Sequence, residues 1–180
     1  MENIDAKQNR MGNGIHEESR KRKVEKAAGK SILAALVLLV VVFGRHPVVG
    51  ESMEPSYHDG QTVFTVRELF RPSKGDVVVA YSSDLSELLI KRVAAGPGDT
   101  LEITADGRVY VNGDEYTYGV GSGISQSMDA MQPTEDGGYQ IEIGKGLYFL
   151  MGDNREHSAD SRHLGTFSRW ELIEKVIGAR

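Results

Sequence analysis

A chain of 180 residues supports one domain with a real hydrophobic core and little more, and 21 glycines, seven tyrosines and short valine-rich runs favour strands and turns over a helical bundle. The absence of cysteine excludes disulfides, thiolate metal sites and a cysteine nucleophile. Five scattered histidines with no i, i+4 pair leave a metal site without support, so neither a metal nor another cofactor is expected. The net charge of −5 is unevenly divided: residues 1–30 carry eight Lys/Arg against five Asp/Glu, a net +3, and the remainder carries thirteen against twenty-one, a net −8. An acidic body argues against a nucleic-acid partner, whose footprint is a basic face.

Residues 1–19 show no apolar periodicity, and the basic stretch 1–26 is expected to be a disordered cytoplasmic tail. The run SILAALVLLVVVF from Ser31 to Phe43 is uncharged, and with Ala27 to Lys30 it makes seventeen residues. That is the short end of the roughly 17–25 needed to cross a bilayer, so residues 27–46 are read as a single transmembrane anchor. Arg20, Lys21, Arg22, Lys23, Lys26 and Lys30 flank its start against Glu25 alone. By the positive-inside rule the N-terminus stays cytoplasmic and residues 47–180 form an extracytoplasmic domain. A cleaved signal peptide or a buried core helix would share parts of this pattern. The long hydrophilic leader fits the first poorly, and the lack of a polar face fits the second poorly.

Beyond the anchor, period-2 runs bounded by turn residues predict strands at 62–66, 76–81, 88–94, 101–104, 108–111, 115–118, 139–143 and 147–151. Asp106-Gly107 and Asn112-Gly113 mark hairpin turns. Residues 119–138, rich in Gly, Ser and Asp, read as a loop or small lobe. Ser168 with Glu171 three residues on reads as a capping box for one short C-terminal helix. The expected fold is mainly β: coiled antiparallel sheets after an N-terminal helix.

Three segments carry chemistry. Ser52, in Gly50-Glu51-Ser52-Met53-Glu54-Pro55-Ser56, follows the apolar run by nine residues, at most about 30 Å of extended chain. A serine beside a turn glycine is ordinarily just a turn residue. In LLIKRVA, alternation puts Leu89, Lys91 and Val93 on one face. If that face points inward, lost hydration depresses the lysine pKa and makes the amine a usable base; if it points outward, Lys91 is an ordinary solvated side chain. The polar stretch from Gly152 to Gly165 follows an apolar strand and has Asp and Arg at i, i+2, able to pair and stiffen a loop.

Together these segments closely resemble the bacterial type I signal peptidases. Residues 52–56, 91–99 and 152–162 match that family's Ser-Met-x-Pro-Ser/Thr, Lys-Arg-Val-x-x-x-Pro-Gly-Asp and Gly-Asp-Asn-Arg-x-x-Ser-x-Asp-Ser-Arg boxes in order, after an anchor in the right place. The resemblance implies a membrane-bound serine endopeptidase that removes signal peptides from secreted preproteins after small residues, at Ala-x-Ala sites. It implies Ser52 as nucleophile, Lys91 as general base, and Ser158 as the hydroxyl that holds the lysine amine. Asp160 and Arg162 become a supporting ion pair, the Ser52 N–H an oxyanion donor with Gly50 beside it, and Met53 and Pro55 substrate contacts. Gly50 stands where family members often carry a serine, and Ala95 where a glycine is common. The expected partners are secreted preproteins and the lipid bilayer. Three other readings remain: a Ser-His-Asp hydrolase using His58, His157 or His163; a self-cleaving repressor; and a non-catalytic accessory or pilus-assembly protein of the same fold.

Overall fold

The computed structural model describes residues 26, 28–37, 40–67 and 71–180. The chain falls into two units, Met1–Val42 and Phe43–Arg180. In the first, residues 28–37 and 40–42 are helical, and Ile32, Leu33, Leu36 and Val37 are each more than half exposed. Among the described residues no helix is long and apolar enough to cross a membrane. The expected tail lies outside the described residues except for Lys26. Of the expected anchor, Ala27, Leu38 and Leu39 lie outside them, and from Phe43 onward the chain is a strand.

Among the described residues the second unit has twelve strands in two antiparallel sheets. Seven strands, β1 (Phe43–Pro47), β2 (Thr62–Arg67), β3 (Val77–Ser82), β4 (Glu87–Ala95), β10 (Leu147–Met151), β11 (Phe167–Ser168) and β12 (Leu172–Ala179), form the larger sheet in the order β1-β2-β12-β3-β4-β10-β11. The smaller sheet holds β5 (Thr100–Ile103), β6 (Val109–Val111), β7 (Asp114–Glu115), β8 (Gln132–Pro133) and β9 (Tyr139–Glu142) in the order β7-β6-β5-β9-β8. Asn112 and Gly113 both adopt positive φ, 55° and 83°, as the tight β6–β7 turn requires.

Each prominent strand has a local reason. β3 reads VVVAYS without polar alternation because both of its faces are covered. Val78 and Ala80 join a cluster with Leu89, Val93, Leu150 and Leu172, while Val77 joins Val48, Met53, Val63 and Val176 on the other side. A third cluster, around Leu101, Ile103, Val111, Ile143 and Phe149, is shared by the smaller sheet and by the ends of β4 and β10. Every predicted strand is present, shifted by a residue or two at most apart from the shorter β7.

The C-terminus departs from expectation. The short α-helix of this unit, among its described residues, is Ser161–Leu164, and the last described element is a strand rather than a helix. Ser168 and Glu171 do interact, Glu171 Oε2 accepting from Ser168 N at 2.7 Å, but the bond closes the turn between β11 and β12. The misleading residue in β12 is Glu174, which sits at an inward position between Leu172 and Val176 and is 2% exposed. Its carboxylate accepts from Thr65 Oγ1, from Arg67 Nε at 2.6 Å and bonds His46 Nε2 at 2.9 Å, tying β1, β2 and β12 together. β1 lies so close above it that a Cβ at Gly44 would stand 2.6 Å from Thr65 Oγ1 and nearer still to Glu174. Burial pushes the Glu174 pKa up, but the Thr65, Arg67 and His46 bonds outweigh it and hold the carboxyl below its ordinary value.

A group whose folded pKa is depressed stabilises the protein above its unfolded pKa of about 4.3, and that contribution is lost as pH falls through the folded value. Glu174→Ala should therefore cost about 2–3 kcal/mol at neutral pH, by leaving buried donors without an acceptor. Denaturant unfolding of the full chain in detergent measures this, and a loss below about 0.5 kcal/mol would mean that the cluster is not a structural tie.

Candidate active site

The segment that carries Ser52 leaves β1 and returns to β2, closed at its base by Val48 N to Gln61 O, 2.7 Å, and Gly60 N to Val48 O, 2.9 Å. Met53, 1% exposed, plugs it into the Val48–Val63–Val176 cluster. Gly50 turns the chain with φ +82°, a conformation that disfavours side chains, and its N–H is committed to Asp59 Oδ1 at 2.7 Å. No acceptor among the described residues takes the Ser52 N–H. Ser52 O accepts from Asn154 N at 3.0 Å, which fixes the serine backbone against the polar loop after β10.

Lys91 answers the question that periodicity leaves open. On β4 it points inward with Leu89 and Val93 and is only 4% exposed. Its Nζ donates to Ser52 Oγ at 2.7 Å and to Ile90 O at 3.2 Å. Burial, opposed by the charges of Asp160, Glu87 and Asp153, lowers its pKa to about 8. No carboxylate bonds the amine directly, so desolvation dominates.

The loop from Gly152 to Gly165 is held by buried ionic contacts. Asp160 and Arg162 pair through Nε–Oδ1 and NH2–Oδ2, both 2.8 Å, with both side chains fully buried. Arg162 also donates to Arg155 O at 2.7 Å and Gly123 O at 3.1 Å, and Asp160 Oδ2 accepts from Gly152 N at 2.9 Å. Asp153 does not pair with Arg155. It takes a two-pronged bond from Arg92, 2.8 Å from Nε and 2.5 Å from NH2, while Arg155 lies over the Tyr116 ring at 5.5 Å and donates to Tyr118 O. Ser158 lies beside Ser52, but its Oγ is buried with no hydrogen-bond partner among the described residues, so it does not bond Lys91 here. A Cβ on Gly152 would stand 2.5 Å from Ser52 O and closer to Ser158 Oγ. Gly152, Arg92 and Asp153 are site residues that sequence patterning did not single out; an i, i+61 ion pair leaves no local signature.

A cleft of about 170 Å³ opens over Ser52 and Lys91, walled by Val48 and Val49 on one side and by Leu88 and Ile90 of β4 on the other. Met53 lines it, whereas Pro55 is exposed on the outer turn and does not. Among the described residues no cluster of His, Asp and Glu could hold a metal ion. Among the described residues no histidine bonds Ser52: His58 faces Glu54, and His157 faces Asn154. His163 meets Ser127 and Asp129 through the same ring nitrogen, Nδ1, and a relay needs both nitrogens.

A serine hydroxyl against a buried amine, in a cleft lined by both polar and apolar groups, is an arrangement that a serine-type hydrolase can use. Comparison with known proteins gives the family. The model of the signal peptidases, peptidase S26, matches residues 21–178. Signal peptidase I of Bacillus amyloliquefaciens is 33% identical over 170 residues, 86% of this chain and 90% of that protein. Signal peptidase I S of Bacillus subtilis (strain 168) is 30% identical, covering 86% of this chain and 87% of the other. A crystal structure of a signal peptidase I from Enterococcus faecalis aligns with a TM-score of 0.45 at 23% identity, over 62% of this chain and 100% of that one. The chain belongs to the signal peptidase family, peptidase S26.

Gly152→Ala should displace the Ser52 backbone and cut peptidase turnover by about a hundredfold, since roughly 1 Å of misplacement has that effect. Steady-state kinetics on a preprotein substrate measure it, and a wild-type rate would show that this approach is not needed for activity.

Proposed function

We propose that this protein removes N-terminal signal peptides from secreted preproteins, with Ser52 as nucleophile and Lys91 as general base. The observation that carries the reading is the 2.7 Å contact between a 4%-exposed lysine amine and the serine hydroxyl. Burial holds the amine near pKa 8, so about a tenth of it is neutral at pH 7. That is enough for an amine to accept a proton without help from a histidine.

Neutral Lys91 takes the Ser52 proton as Oγ attacks the scissile carbonyl. The resulting ammonium then protonates the departing amine, and the acyl-enzyme is opened by a water that Lys91 deprotonates. The Ser52 N–H is the oxyanion donor. Gly50, which lacks a side chain and has its N–H bound to Asp59, shapes the turn rather than donating. Ser158 supplies a hydroxyl beside the dyad, while Asp160 and Arg162 position the loop that carries it. The substrate docks as an extended strand along the uncovered edge of β4, with the residues before the cut in the cleft. The cleft, of about 170 Å³ and lined by Val48 and Ile90, is small, which favours residues as small as alanine at the first and third positions before the bond.

The uncharged, exposed apolar stretch before β1 is the anchor in this reading, and the lysines and arginines ahead of it keep the N-terminus cytoplasmic. Enzyme and membrane-bound substrate then share one bilayer surface, which raises their effective concentration.

Ser52→Ala and Lys91→Ala should each lower kcat/KM on an Ala-x-Ala preprotein by at least about a thousandfold, and Lys91→Arg should fail too, because a guanidinium cannot become neutral. Retained cleavage in any of the three would remove the dyad. For the wild type, kcat/KM should rise about tenfold per pH unit up to about 8 and level off above, since only the deprotonated amine acts. A profile flat from pH 6 to 9 would contradict Lys91 as the base.

A further inference from the structure

The cleft lining named so far is apolar apart from the dyad, but one further charge stands in it. Glu87, at the start of β4, lines the cleft along the strand from Lys91. It is exposed, and its side chain has no hydrogen bond or ion pair among the described residues. Alternation places Glu87, Leu89 and Lys91 on one face of the strand, with the backbones of Glu87 and Lys91 four residues, about 13 Å, apart along it. Its negative charge is among those that favour the Lys91 proton.

The topology sets how a substrate passes this residue. Beyond Lys91, β4 is covered by β10, which pairs with Arg92, Val93 and Ala95. Residues 87–91 pair only with β3, from Ser82 to Val78, so their other edge is open to the cleft. Ile90 O, 3.2 Å from Lys91 Nζ, marks that edge. An added strand can therefore extend only from Lys91 toward Glu87. If the residues before the bond occupy the cleft, the residue at the cut lies beside Lys91 and its fourth predecessor beside Glu87.

We propose that Glu87 is a specificity-determining residue that selects preproteins carrying lysine or arginine at the fifth position before the scissile bond. The assignment rests on the strand-docking reading given above. The pair is partly solvated, so attraction of a cation and repulsion of an anion are each modest, and together they separate the two substrates by about fivefold to tenfold.

The test uses the full chain in detergent micelles and three preproteins with one Ala-x-Ala site, identical except for Lys, Gln or Glu at that fifth position. Wild type should cleave the Lys substrate about fivefold to tenfold better than the Glu substrate in kcat/KM, with Gln between them. Glu87→Lys should reverse the order, and 1 M salt should flatten it. Equal cleavage of all three by wild type, or an order unchanged in Glu87→Lys, overturns the assignment while leaving the peptidase intact. Cleavage of none by wild type overturns the peptidase reading and the Glu87 assignment with it.

Discussion

An amine buried without a directly bonded carboxylate is the constraint on which the rest of the site depends. Left in water, Lys91 would be an ammonium at neutral pH and unable to accept a proton. Enclosed between Leu89 and Val93, with Ser52 Oγ and Ile90 O as its hydrogen-bond partners among the described residues, it loses enough hydration for its pKa to fall to about 8. A bonded aspartate would cancel that effect by stabilising the charged form. Two of the three acids near it are bound to other cations, Asp160 to Arg162 and Asp153 to Arg92, and the third, Glu87, is exposed to solvent.

Those two ion pairs explain how such a site stays rigid. Each is buried, so its desolvation cost is offset only by good geometry and further hydrogen bonds, and each has them. Arg162 reaches two backbone carbonyls as well as Asp160, and Arg92 reaches Gly75 O at 2.8 Å as well as Asp153. Removing either acid would leave an unpaired guanidinium beneath the loop that holds Ser158 and the Ser52 backbone. The contribution of these pairs is to fix one arrangement of loop, serine and lysine, more than to add net stability. Glu174 does the same work at the other end of the sheet, pinning β1 and hence the cleft wall at Val48 and Val49.

Much of this was legible in the sequence, and the exceptions share a cause. Strands with solvent on one face, and the buried run of β3, announced themselves through alternation and valine content. Ser52 and Lys91 were ambiguous on their own segments and were singled out by the resemblance of three boxes to one family, while Asp160 and Arg162 pair as their i, i+2 spacing allows. What was not legible depends on contacts distant in sequence. β12 looked unlike a strand because Glu174 occupies an inward position, and only Thr65, Arg67 and His46, more than a hundred residues away, make that tolerable. The Arg92–Asp153 pair spans 61 residues, and the need for glycine at 152 arises from Ser52 O and Ser158, not from any turn. Ser158 itself, buried and unbonded among the described residues, could not be placed from its box position alone.

The claim at the centre of this account is that burial brings the Lys91 amine close to neutrality at physiological pH. Its direct test is a titration of the Lys91 side chain by NMR, with selectively labelled lysine in the intact chain and Lys91→Arg to assign the signal. A midpoint near 8, well separated from the other lysines, is the predicted result. A midpoint near 10.5, with the rest, would contradict it.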